Sequence, residues 1–181
     1  MRYLLPVFII LLLIPCDLFS QLDTVHYIPP LHSRKNPQVK QHYLYISTPS
    51  SIPFLLTIED GAGNVLATAN ISDAAPYIYT IGTTQNTSSK AFVPSNYLNT
   101  VLTNKGFKVY ASAPFYVSLR VRAVSQAECL TSKGTAALGT EFRYGGFPQF
   151  SNSGGTTDRN FTAGIMATAV SYTHLTLPTN K

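Results

Sequence analysis

Apolar and polar residues alternate with a period of two along most of this chain. The pattern is cleanest in 115–123 (FYVSLRVRA). There Phe115, Val117, Leu119, Val121 and Ala123 fall on one face, and Tyr116, Ser118, Arg120 and Arg122 on the other. Side chains point to opposite sides at each step of a strand, so this spacing predicts one face in a core and one in water. A hairpin is equally plain upstream. Phe54, Leu56 and Ile58 alternate, DGAGN (60–64) supplies turn residues, and Val65, Ala67, Ala69 and Ile71 alternate on the return. Residues 42–47, 77–81, 107–111 and 142–144 read as further strands. Only 95–103 (SNYLNTVLT) offers a helix, with Ser95 as its cap and Gly106 beyond its end, and its β-branched residues count against it.

Short strands separated by Gly, Pro, Asn and Ser predict an all-β fold, an antiparallel β-sandwich-like module followed by the start of a second β unit. The module is expected over 42–150. A polar lead with Pro29, Pro30 and Pro37 (21–41) should be extended. Residues 151–169 read as a Gly/Ser-rich linker (SNSGGTTDRN, 151–160) and a strand from Phe161 to Thr168 that opens the next unit.

The two ends carry information of a different kind. Met1-Arg2 is a short basic start, and 3–15 (YLLPVFIILLLIP) is an apolar run. That run is shorter than the roughly 20 residues a spanning helix needs. Polarity rises directly after Ser20, so 1–20 is expected to be a secretory signal peptide cleaved before Gln21. Cys16 offers an alternative, an acylated lipoprotein N-terminus, but Pro15 stands where a small residue is wanted. At the other end, VSYTHLTLPT (170–179) is the translation of a transposase adapter used in DNA library preparation. GTC TCT TAT ACA CAT CTG ACG CTG CCG ACG encodes it. Residues 170–181 are therefore expected to be a sequencing artefact on the front part of a longer protein.

Composition narrows the function. The 181 residues carry a formal charge of +5 without a Lys/Arg cluster, so nucleic-acid binding is not expected. Once Cys16 is assigned to the leader, Cys129 stands alone; it could pair with a cysteine further along a longer protein, but a buried free thiol is the expectation. His26 and His32 have no metal-ligand spacing, and all three native histidines, His42 included, are expected to be exposed or at strand edges. His42 would share a face with Leu44 and Ile46. Glu59-Asp60 could ligate calcium, although acidic residues beside such a turn normally serve the turn itself. No G-x-S-x-G is present, and Glu128 and Glu141 have no warrant as a catalytic pair. The sequons at Asn70, Asn86 and Asn160 mark polar surface. No catalytic, cofactor or metal site is expected. The most suggestive patch is the outward row Tyr116, Arg120 and Arg122, because Tyr and Arg are enriched at binding hot spots.

Four segments, HYIPPL (26–31), YLYISTP (43–49), NKGFKVYASAPFYVSLRV (104–121) and SKGTAALGTEFRYGGFP (132–148), carry a likeness to a known family. They resemble the N-terminal domain of IgG-Fc-binding-protein-like surface proteins, in the bacterial version found in Bacteroidota. The resemblance implies a secreted or cell-surface protein exported by the type IX system through a C-terminal type B sorting domain. Antibody binding is not implied for a bacterial relative. The expectation is a non-catalytic extracellular β module, used for adhesion or for binding a glycan or glycoprotein, without a cofactor. The alternatives are a structural spacer in a surface protein and an accessory domain of a secreted hydrolase.

Overall fold

A computed structural model describes residues 21–32, 39–82, 89–93, 97, 100–123 and 127–139. Residues 1–20, expected as a signal peptide, and 142–144, 151–169 and 170–181 lie outside the described residues. The fold is all-β with an antiparallel main sheet, and no α-helix occurs among the described residues. Its main strands are β1 (Asp23–Ile28), β3 (Val39–Ser47), β4 (Phe54–Asp60), β5 (Val65–Ile71), β6 (Tyr77–Gly82), β8 (Phe107–Ala123) and β9 (Ala127–Thr131). Two short strands, β2 (Leu31–His32) and β7 (Phe92–Val93), form a separate parallel pair.

One strand organises the rest. β8 is 17 residues long. Its first half lies between β4 and β1, and its second half between β3 and β9. The main sheet runs β5-β4-β8-β3-β6. β5 and β6 stand at opposite ends of that path yet are consecutive in the chain, joined by a turn closed at the Ser72–Ala75 bridge. The sheet must therefore curl until its ends approach, and it forms a strongly curved half-barrel.

Alternation in β8 is unbroken from Phe107 to Arg122. Phe107, Val109, Phe115, Val117 and Leu119 are all buried, while Lys108, Tyr110, Tyr116 and Arg120 point outward. Pro114 sits inside this strand, where a missing N–H normally breaks a ladder. Here pairing with β4 has ended at Ala111 and pairing with β3 begins at Tyr116. On the other flank β1 is bulged, with Val25 opposite Tyr110 and Asp23 opposite Phe115. The proline therefore occupies a gap in pairing on both sides and forfeits no ladder bond. Thr48 Oγ1 donates to the Pro114 carbonyl at 2.8 Å, and the His26 ring binds the Phe115 carbonyl at 2.8 Å. Both carbonyls at the crossing point thus have side-chain partners.

The concave side holds the core: Ile28, Val39, Leu44, Ile46, Leu56, Ile58, Ile71, Phe92 and the inward residues of β8. The segment expected as a lead contributes β1, β2 and the start of β3. Val65 departs from its expected place and is exposed, because a bulge at Ile58/Glu59 shifts the register and turns Leu66 toward the core instead. The helix expected over 95–103 does not form among the described residues there. Thr100 N–H donates to the Tyr97 carbonyl, a single turn.

Candidate functional site on the outer sheet face

The outward faces of the two sheet halves are built from similar residues in different company. On the half formed by β1, β4, β5 and the start of β8, the register sets Glu59 opposite Lys108 and Thr57 opposite Tyr110. Tyr110 Oη donates to Glu59 Oε1 at 2.8 Å, Lys108 Nζ lies 3.7 Å from Glu59 Oε2, and the same ammonium stands 4.8 Å from the Tyr110 ring centroid. The Glu59 hydrogen bond pushes the Tyr110 hydroxyl pKa up from its usual value.

On the half formed by β3, β6, β9 and the end of β8, the outward rows are Gln41, Tyr43, Tyr45 and Ser47; Ile78 and Thr80; Tyr116, Ser118, Arg120 and Arg122; and Cys129 and Thr131. No carboxylate occurs among these positions. The Arg120 guanidinium lies 4.3 Å from the Tyr45 ring centroid, and Tyr43 packs edge-on to Tyr45 at 6.1 Å. Neither Arg120 nor Arg122 has an ion-pair partner among the described residues. Tyr116, Arg120 and Arg122, named from the sequence, are all exposed and line one strand. Tyr43 and Tyr45 escaped that reading because they lie on a neighbouring strand. Only the β3–β8 register brings them to the same face, opposite Arg120 and Ser118.

Other candidates fall elsewhere. Cys129 is exposed, not buried, because β9 is an edge strand that turns this residue outward opposite Arg120. His26 and His42 are fully buried, against the expectation of exposed or edge positions. His42 does share the inward face with Leu44 and Ile46, and its ring meets Phe92 edge-on at 5.3 Å. Since the Phe115 carbonyl can only accept, His26 must carry its proton on Nε2, and Nδ1 is left without a partner. Burial lowers the pKa of both rings, against which the Phe115 carbonyl raises that of His26. The two histidines pair with opposite ends of β8, facing Val109 and Val121. No group of three or more His, Cys, Asp or Glu able to hold a metal forms among the described residues.

Glu59 and Asp60 point to opposite faces of β4. Asp60 Oδ1 accepts from the Ala62 and Asn64 amides at 2.9 and 3.0 Å, and its Oδ2 pairs with Lys90 Nζ at 2.7 Å. Burial raises this carboxyl's pKa, but Lys90, Asn64 and Ala62 outweigh it and bring it to about 2. Asp60 therefore anchors the turn and ties it to the segment before β7. Gly63 adopts φ 83°, open to glycine at little strain, and a Cβ on Gly61 would lie 2.2 Å from the Lys105 carbonyl oxygen. Glu128 is exposed on β9, and Glu141 lies outside the described residues. Among the sequons, Asn70 is exposed on β5, and Asn86 and Asn160 lie outside the described residues.

No family model matches the chain, and neither a curated protein nor a solved structure shows significant similarity to it. No helix among the described residues is long and apolar enough to cross a membrane.

Proposed function

We propose that this chain is a non-catalytic extracellular module, secreted or held at the outer cell surface, that binds a glycan or glycoprotein through its outer sheet face. The observation that carries the proposal is the carboxylate-free row of Tyr43, Tyr45, Tyr116, Arg120 and Arg122 on one side of the half-barrel. Tyrosine supplies rigid amphipathic contact area at low entropic cost, and arginine supplies a planar donor fork. The basic start followed by the apolar 3–15 run supports secretion, and the resemblance to IgG-Fc-binding-like bacterial surface proteins supports a surface setting with a sorting domain downstream. In this proposal the two halves of the sheet, folded at Ser112–Pro114, act as the leaves of a sandwich-like unit, with a second β unit to follow.

The test is a glycan array with a mucin pull-down on the purified chain. Binding above background, reduced by substitutions on this face, is expected. Silence in both assays would leave the structural-spacer role in its place.

A further inference from the structure

We infer that the ligand of this face is an acidic glycan, a chain bearing sulfate or carboxylate groups. The inference rests on the surface-binding function proposed above and names its ligand class. Arg120 and Arg122 are two residues apart on one strand, so both guanidinium groups leave the same face, with their origins roughly 7 Å apart. A guanidinium binds an oxyanion through two parallel N–H donors, which a neutral sugar cannot exploit as fully. Arg120 is already laid on the Tyr45 ring, itself braced by Tyr43, so little side-chain freedom remains to be lost on binding.

The surroundings fit a sugar chain. Ser47, Ser118, Thr80 and Thr131 add neutral hydroxyls on adjacent strands, with Ser118 and Thr131 in mutual contact at 3.2 Å. Tyr116, 38% exposed, ends the row and offers a ring for stacking. From Tyr116 to Arg122 the row spans roughly 20 Å, the reach of an extended oligosaccharide. A folded acidic protein would want an apolar core to its contact, and among the described residues this face offers only Ile78 as a large exposed aliphatic side chain, at one margin.

Cys129 makes the location directly testable. It is exposed on the same face, opposite Arg120, and Cys16 is the other cysteine of the sequence. The full chain is presented to sulfated, carboxylated and neutral glycans and to polyglutamate, and alkylation of Cys129 is followed by mass spectrometry with and without each. Binding to sulfated or carboxylated glycans, with alkylation of Cys129 slowed severalfold, is expected; the two arms tell which anion is preferred. The double change Arg120→Glu/Arg122→Glu should weaken that binding at least tenfold with the thermal midpoint held within a few degrees.

Preference for neutral glycans would overturn the acidic-ligand inference and leave the surface-binding function standing. Equal binding to polyglutamate would reduce the face to a general anion attractor and overturn it too. Binding without protection of Cys129 would overturn the location, a result independent of whether the arginine variant folds. No binding to any glycan would remove both proposals.

Discussion

On the β4 side of the half-barrel, Lys108 and Tyr110 close onto Glu59, and every charge on that outward face has a partner within the protein. On the β3 side, Arg120 rests on an aromatic ring and Arg122 projects without an ion-pair partner among the described residues. Both faces are carried by the same strand, with the same alternation, so neither difference arises from the backbone. What differs is which residue the neighbouring strand places opposite each cation. β4 supplies Glu59 to Lys108, whereas β3 supplies Tyr43 to Arg120. A face that satisfies its own charges is a poor partner for anything else, whereas one that leaves cations preorganised and unpaired can bind an anion without first breaking an internal contact.

The largest effect should come from confusing the two sides of β8. Leu119 is 1% exposed. Leu119→Asp buries an unpaired charge and should cost about 4 kcal/mol or more, so that the chain fails to fold or unfolds at far lower denaturant. Arg120→Asp, one residue away on the open face, should change stability by about 1 kcal/mol or less in the same urea titration. The reverse order would invert the two faces.

Next in size is the turn that closes the β4 side. Asp60→Ala strands Lys90 and leaves the Ala62 and Asn64 amides without their acceptor, and should cost about 2–4 kcal/mol by chemical denaturation. The same residue sets an acid limb. Its carboxyl pKa falls from 3.8 to about 2 on folding, so it contributes about 2 kcal/mol at neutral pH. That contribution is complete above about pH 4 and is lost as pH falls toward about 2. Asp60→Asn should flatten the limb, and an unchanged acid profile would show that the pair with Lys90 does not form in solution.

A smaller pH effect belongs to the histidines. Both have pKa values lowered from 6.5 by burial, so the unfolded chain binds protons more readily just below that pH. Stability should therefore be constant above about pH 7 and decline as pH falls below about 6.5, read as the thermal midpoint across pH 7.5 to 5.5. A rising midpoint over that range would mean that a ring gains an anionic partner in the folded state. Smallest of all, Tyr110→Phe removes one partly exposed hydrogen bond to Glu59 and should shift the urea midpoint only slightly, less than any change above.

Much of this fold is legible in the sequence, and the places where it is not share a cause. The alternation of 115–123 and the DGAGN turn are local signals, and the structure keeps both. β8 reads as two strands because Pro114 interrupts it, and only the staggered ends of β4 and β3 make that proline harmless. β1 is hidden because its pattern is inverted: His26 faces the core to bind the Phe115 carbonyl, while Val25 and Tyr27 face outward. The exposure of Tyr116, Arg120 and Arg122 follows from period two alone. Their company does not, since Tyr43, Tyr45 and Cys129 join them through pairings that no local pattern specifies.

The most direct measurement compares two charge-matched double variants in binding to one sulfated polysaccharide at fixed salt. Arg120→Glu/Arg122→Glu alters the open face. Lys108→Glu/Lys133→Glu makes the same change in net charge away from that row, since Lys108 lies on the β4 side and the exposed Lys133 precedes a 3-10 turn (Gly134–Ala137) that packs against β1. If the open face is the binding surface, the arginine pair should lower affinity at least tenfold and the lysine pair severalfold less. Equal losses would mean that net charge alone attracts the polysaccharide, and the distinction between the two halves of the sheet would carry no functional meaning.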